Sequence, residues 1–204
     1  MRNLRQDRFE KAKSIFRQHG GILKMSEAVQ AGIHRKMLYA MHDAGIIEKL
    51  DRGLYRLADL PPLGNPDLVS VAMKVPTGII CLISALSFHE ITTQIPHEVY
   101  IALRRGTESP RLKHPPVRVF RFTGEAFTEG IETPKVDGIQ IRIYNPEKTL
   151  ADCFKYRNKI GLDIAVEALK LYRERKRVKV NEVMRYARIC RVEKVMRPYL
   201  EALL

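Results

Sequence analysis

Apolar positions in the first sixty residues follow a helical period and then change to two short runs typical of strands. An amphipathic helix is predicted over residues 7–19. Two shorter helices follow, one starting at Ser26 as its cap and one over 34–44, ended by Gly32 and Gly45. The apolar runs 46–50 and 54–57 flank a turn with Gly53, which predicts a hairpin. This order of elements is typical of a winged helix-turn-helix.

The helix predicted over 34–44 has an apolar and a polar face. Met37, Leu38 and Met41 recur at helical spacing and are expected to face inward. The opposite face and the hairpin turn supply the residues predicted to bind DNA, which are Arg35, Lys36, Tyr39, His42 and Arg52. The alternative is that these side chains only solvate an exposed face.

The pattern changes after residue 58. Residues 59–66 contain three prolines and one glycine and predict a linker. Beyond it, short apolar runs predict strands near 99–103, 117–122, 127–136 and 139–144, and helical periodicity returns from Pro146 to the end. We therefore predict an α+β protein: a winged helix-turn-helix domain over 1–58, and a mixed domain over 67–204 with a small, mainly antiparallel sheet and a helical tail.

Charge changes the picture at the two ends of the chain. The net charge is +13, of which residues 1–64 carry +5, residues 65–145 carry +1 and residues 146–204 carry +7. Such an excess favours an anionic partner, although the basic C-terminal third could equally serve solubility. Three widely spaced cysteines and the lack of a long apolar segment or signal peptide predict no disulfide framework, no membrane contact and a cytoplasmic location.

Candidate chemistry is sparse. No phosphate-binding loop, nucleophile elbow or metal-ligand motif occurs, so we expect no enzyme activity, no catalytic residue, no metal site and no cofactor. Asp137, Glu147 and Lys148 resemble the paired acids and lysine of a nuclease only faintly. The alternative for them is a solvated turn and an acid at a helix N-terminus.

Four segments resemble AbiEi-type antitoxins. In the first part they are AGIHRKMLY at 31–39 and DRGLYRL at 51–57; in the second part they are SALSFHEIT at 84–92 and NPEKTLADCFKYRNKIGLDIAVEALK at 145–170. One departure is His34, because such proteins more often have Ser or Thr at that helix start.

The resemblance implies a role in a bacterial toxin–antitoxin system that acts in phage defence. The winged helix would repress its own operon at inverted repeats. The C-terminal domain would neutralise an AbiEii-type nucleotidyltransferase toxin, directly or indirectly. The neutralising surface is expected on the helix from Pro146 and its neighbours, at Lys148, Lys155, Arg157 and Lys159, with Leu150, Ala151 and Phe154 facing the core. Two alternatives stay open: a winged-helix transcription factor with a ligand-sensing C-terminal domain, and a nucleic-acid-processing enzyme.

Overall fold

The computed structural model describes residues 4–175 and 178–203. The helices are α1 (Leu4–Gln18), α2 (Met25–Gln30), α3 (Arg35–Asp43), α4 (Pro66–Lys74), α5 (Leu82–Phe88), α6 (Glu125–Thr128), α7 (Pro146–Lys155), α8 (Arg157–Ile160), α9 (Leu162–Arg173), α10 (Val180–Ile189) and α11 (Glu193–Leu203). The strands are β1 (Ile22–Lys24), β2 (Ile47–Asp51), β3 (Leu54–Leu57), β4 (Ile79–Ile80), β5 (Val99–Arg104), β6 (Val117–Phe122), β7 (Ile131–Glu132), β8 (Lys135–Val136), β9 (Ile139–Gln140) and β10 (Ile143–Tyr144). The α+β class predicted from the sequence is confirmed.

Two compact units divide the chain. The first comprises the residues up to Lys74 together with Lys135–Gln140, and the second comprises Val75–Pro134 and the residues from Ile141 onward. The first unit therefore contains the predicted linker, α4 and the hairpin of β8 and β9. In this hairpin, the Asp137 carboxylate accepts hydrogen bonds from the backbone N–H groups of Gly64 and Asn65, both at 3.1 Å. The predicted boundary at residue 66 is thus not the boundary between the compact units.

The first unit has the predicted order of helix, turn, helix and hairpin. Strands β1, β3 and β2 form an antiparallel sheet in that order, with Tyr55 of β3 opposite Leu23 on one side and Lys49 on the other. Gly32, Gly45 and Gly53 all have positive φ, which L side chains adopt only with strain. These glycines end α2 and α3 and form the hairpin turn, as their positions in the sequence predict.

The starts of α2 and α3 differ from each other in their capping. Ser26 is not the cap of α2, because the helix begins at Met25 and the backbone N–H of Lys24 donates to the Glu27 carboxylate at 2.9 Å. His34 caps α3, since its Nδ1 accepts from the backbone N–H of Lys36 at 3.2 Å. His34 thus caps α3 at the position where AbiEi-type antitoxins more often have Ser or Thr.

A separate hydrophobic core holds the first unit together. Its buried members come from every helix and strand of the helix-turn-helix and hairpin: Ala12, Phe16, Leu23, Ala28, Ile33, Leu38, Met41, Ile47, Tyr55 and Leu57. Phe9 and Ile15 are partly buried against it. His19, the last residue of the helix predicted over 7–19, lies beyond the end of α1 and is exposed.

The second unit contains a five-stranded sheet in the order β6-β5-β4-β10-β7. The pairs β5–β6 and β4–β10 are parallel, whereas β4–β5 and β10–β7 are antiparallel. The sheet is therefore mixed rather than mainly antiparallel. The predicted strand over 127–136 is also wrong in its length, because α6 covers its beginning and only the short strands β7 and β8 remain.

Helices α5, α7, α9, α10 and α11 contribute most of the core of the second unit. Asn145 caps α7 by accepting from the backbone N–H of Lys148 at 2.8 Å, and Pro146 occupies the first turn, so the helix begins where the sequence predicts that helical periodicity returns. Leu150, Ala151 and Phe154 are buried, which confirms their predicted inward orientation. The helix α7 thus lies in the interior of this unit rather than at its periphery.

Candidate functional site

The outward face of α3 carries the predicted DNA-binding side chains. Arg35, Lys36, Tyr39 and His42 are all exposed, and Tyr39 is 51% exposed although its side chain is large and aromatic. Leu38 and Met41 are buried on the opposite face. A helix that anchors one face in the core presents the other as a rigid surface, which suits insertion into a groove of duplex DNA.

Arg52 lies at the tip of the hairpin, where its side chain is exposed. Its backbone N–H donates to the Asp51 carboxylate at 2.5 Å, which fixes the turn. Lys74 forms an ion pair with the same carboxylate. The negative charge of Asp51 is therefore neutralised by Lys74 within the first unit. It offsets the positive charge of Arg52 less than the sequence alone would suggest.

Contacts between α3 and the hairpin orient these groups relative to one another. The His42 ring meets the Tyr55 ring edge-on, with 6.4 Å between centroids. Burial raises the pKa of the Tyr55 hydroxyl, with a smaller contribution from Tyr39. Arg56, on the same strand as Tyr55, is buried and paired with Glu48 at 2.5 Å, so it stabilises the hairpin and is not available to a ligand.

Two cations that were not predicted from the sequence lie beside the start of α3. Arg8 and Lys11, both exposed on α1, line an open cleft of about 330 Å³ together with Gly32, Ile33 and His34. The signal for them was present in the sequence as the polar face of α1. Nothing in one helix alone, however, indicates that this face lies next to the start of another.

Lys148 is not part of any surface. Its side chain is 0% exposed, and its Nζ lies 2.7 and 2.6 Å from the two oxygens of the equally buried Asp152. The ammonium also lies 4.1 Å from the centre of the Tyr144 ring, a cation–π contact. The prediction that Lys148 belongs to an exposed neutralising surface is therefore wrong, because the pair with Asp152 satisfies its charge in the interior.

Cys190 completes this buried cluster. Its thiol donates to Asp152 Oδ1 at 3.2 Å, and burial raises its pKa to about 12. Burial also raises the pKa of Asp152, against the opposing effect of Lys148. The three residues connect α7 to the end of α10 and are at most 3% exposed, so they act on packing rather than on a ligand.

The other three predicted cations of this surface differ in how freely they project. Lys155 is half-buried, with its Nζ 5.7 Å from the centre of the Phe122 ring. Arg157 donates to the backbone carbonyl of Phe154 at 2.9 Å, so its guanidinium is held against the end of α7. Lys159 is exposed beside Phe120 and Tyr156. Of the three, Lys159 is the side chain that reaches furthest into solvent.

Arg118 on β6 lies next to Lys159 and was not predicted. One of its nitrogens is 3.5 Å from the backbone carbonyl of Lys159, and its guanidinium lies over the rings of Tyr100 and Phe120 at 5.5 and 5.6 Å. We call Arg118, Lys155 and Lys159 the basic–aromatic patch. The sequence places Arg118 in a predicted strand. Its closeness to Lys159 of α8 is a tertiary contact that the sequence pattern does not indicate.

The faint nuclease arrangement is not assembled within either unit. Asp137 belongs to the first unit and bonds to its backbone, whereas Glu147 belongs to the second and accepts from the Tyr172 hydroxyl at 2.7 Å. Lys148, the third member, is buried against Asp152. Across the described residues, no group of three His, Cys, Asp or Glu side chains could hold a metal ion.

Comparison with known proteins identifies the first part of the chain. Residues 10–58 match the family described as the AbiEi antitoxin, a transcriptional regulator. The resemblance to AbiEi-type antitoxins is thereby confirmed. The match ends with the hairpin, so the resemblance of 84–92 and 145–170 to the antitoxin's C-terminal domain stays a prediction. No curated protein matches this sequence.

The fold of the chain is found in a protein of very different sequence. The crystal structure of the RV2827C protein from Mycobacterium tuberculosis superposes with a TM-score of 0.59, covering 98% of this chain and 81% of that one, at 13% identity. At that identity the likeness concerns the fold alone. No helix among the described residues is both long enough and apolar enough to cross a membrane.

Proposed function

We propose that the protein is an antitoxin and autorepressor whose first unit is a winged helix-turn-helix that binds inverted repeats in its own operon. The observation that carries the proposal is the exposed face of α3 with Arg35, Lys36, Tyr39 and His42, in a segment matched to a family of antitoxin regulators. Arg52 at the hairpin tip would contact the backbone or the minor groove, as wings commonly do. Arg8 and Lys11 are additional candidates for phosphate contacts, because they flank the start of α3.

The second part of the proposal concerns the toxin. We propose that the second unit neutralises a nucleotidyltransferase toxin of the AbiEii type through the basic–aromatic patch, helped by Arg157. Such a toxin has an acidic active site and phosphate-bearing substrates, so a cationic surface could cover that site or compete for the nucleic acid. Arginine and aromatic side chains are common anchors of protein interfaces, which favours a patch that stacks Arg118 on Tyr100 and Phe120.

Two assays in cells test the two parts together. A reporter driven by the operon's own promoter measures repression, and co-expression with an AbiEii-type nucleotidyltransferase measures rescue from toxicity. The full-length chain is expected to score in both. Repression without rescue would leave a transcription factor without antitoxin activity, and rescue without repression would remove the proposed role of α3.

A further inference from the structure

A polar cavity lies in the second unit, and no residue of the basic–aromatic patch lines it. Its volume is about 470 Å³, within the usual size of small-molecule sites, roughly 300–1,000 Å³. The residues around it carry charges of both signs and come from the ends of five elements: His89, Glu132, Pro146, Glu147, Tyr172, Arg175 and Lys179. Neither the DNA-binding face nor the predicted toxin surface uses any of them.

Glu147 supplies a buried carboxylate to this cavity. Its side chain is only 7% exposed, and Oε1 accepts from the Tyr172 hydroxyl at 2.7 Å. Within the described part of the chain, the second oxygen, Oε2, has no hydrogen-bond partner. This oxygen is therefore available to a ligand, and a donor that carries positive charge makes the stronger hydrogen bond to a carboxylate.

Lys179 is too loosely held to fill that role. Its Nζ lies 3.7 Å from Glu147 Oε1, beyond hydrogen-bond distance, and its side chain is 63% exposed. Exposed ion pairs of this kind contribute little to stability. The arrangement therefore leaves an acceptor inside the cavity and a loosely held cation within 4 Å of it.

His89 and Arg175 complete the arrangement. His89 Nε2 lies 2.7 Å from the backbone carbonyl of Tyr144 and so carries the proton, while burial lowers the pKa of the ring. Its Nδ1 is then an acceptor. Arg175 donates through one nitrogen to the backbone carbonyl of His89, which leaves its remaining donors for another acceptor.

We propose that this cavity binds a free α-amino acid, with the ammonium group on Glu147 and the carboxylate on Lys179 and Arg175. In an α-amino acid, the ammonium group and the carboxylate group are attached to the same carbon atom. That spacing fits a carboxylate and an ammonium of the protein that lie 3.7 Å apart. A simple amine offers no anion to Lys179 and Arg175, and a simple acid offers no cation to Glu147.

Isothermal titration of the full-length protein with each of the twenty L-amino acids tests the site. At least one is expected to bind saturably at up to millimolar concentration. Its decarboxylated amine and its 2-hydroxy acid analogue, each lacking one charge, should each bind at least about tenfold more weakly, because each loses a charge-assisted contact. Absence of saturable binding by all twenty would overturn the proposal.

Variants locate the binding. Glu147→Gln and Lys179→Ala should each weaken it roughly tenfold or more. Lys179→Ala tests the site even if the Glu147 variant folds poorly, because Lys179 is exposed and loosely held. Lys170→Ala and Glu174→Gln, exposed residues outside the cavity lining, are the matched controls. An affinity that Lys179→Ala leaves at the wild-type value would also overturn the assignment, and none of these results depends on DNA or toxin binding.

Discussion

Lys148 and Asp152 bury a pair of opposite charges inside the second unit, and this pair makes a sharp prediction about stability. Removal of one partner leaves the other buried and uncompensated, which typically costs about 3–5 kcal/mol. Lys148→Met alone is therefore expected to lower the free energy of unfolding by about that amount. Urea denaturation of the full-length protein measures the change.

The double variant Lys148→Met/Asp152→Leu is the control for this prediction. Replacing a buried pair by apolar residues of similar size is often neutral or stabilising. Burial raises the pKa of Asp152, so the folded state binds the carboxyl proton more tightly than the unfolded state does. Ionisation of Asp152 therefore lowers the free energy of unfolding as the pH rises, and a leucine at this position does not have that cost. The double variant should recover most of the loss at neutral pH, and a double variant as unstable as the single one would contradict the account.

His34 gives a second prediction at this scale. His34→Ala removes the acceptor for the Lys36 N–H and should lower the free energy of unfolding of the first unit by about 1 kcal/mol. His34→Ser restores a capping oxygen and should return the stability to the wild-type value or above. The exposed Gln30, changed to Ala, serves as control. Equal stability of the Ala and Ser variants would show that the cap contributes nothing.

Among the elements, those with local signals were predictable from the sequence. Gly32, Gly45 and Gly53 take positive φ, and the capping Asn145 precedes Pro146, so the ends of these helices and the hairpin turn follow from the residues at those positions. The pairing of the sheet was not predictable in this way. The parallel pairs β5–β6 and β4–β10 join segments separated by long connections, and nothing in an apolar run specifies its neighbour.

The sequence predicts an exposed charged face on α7, whereas Lys148 and Asp152 of this helix are buried. Lys148 and Asp152 are four residues apart, so they share a face of the helix. Buried residues extend without a break from Glu147 to Phe154. A helix that is buried on all sides has to pair its charges internally. The i, i+4 spacing of opposite charges was the available signal.

The basic–aromatic patch is predicted to be required for rescue from the toxin. Reversal of Lys155 and Lys159 to Glu should abolish rescue from the toxin by replacing two cations of the proposed interface with anions. Melting and operator binding are expected to stay near wild type, because Lys159 is exposed and the contact of Lys155 with Phe122 is worth only about 0.5–1 kcal/mol.

Lys170→Glu/Lys194→Glu, which reverses two exposed cations on α9 and α11, is the matched control for charge. Arg157 is left out of the first variant because its bond to the Phe154 carbonyl also holds the end of α7. Full rescue by the Lys155/Lys159 variant would place the neutralising surface elsewhere, and Arg104 with Arg105, both exposed, would be tested next.

For the whole molecule, the division of labour between the two units stays a prediction, and the structure changes how it is best tested. Truncation at the linker would separate α4 and the hairpin of β8 and β9 from the rest of their unit. Point variants in the full-length chain avoid this. Arg35→Ala/Lys36→Ala/Arg52→Ala should lose repression and keep rescue, the converse of the patch variant. Loss of both activities in either variant would contradict a modular protein.

The affinity of the full-length protein for its operator duplex, measured by fluorescence anisotropy over a range of salt, tests most directly whether α3 and the hairpin tip bind DNA. The triple variant of Arg35, Lys36 and Arg52 is compared with Arg111→Ala/Lys113→Ala/Lys135→Ala, which removes the same charge from exposed positions outside α3 and the hairpin tip. The first should bind more weakly, and the slope of log affinity against log salt should fall by about 0.9 for each DNA phosphate that the variant no longer neutralises. The second should keep the wild-type slope. Unchanged affinity in the first variant would show that α3 and the hairpin tip are not the DNA-binding surface.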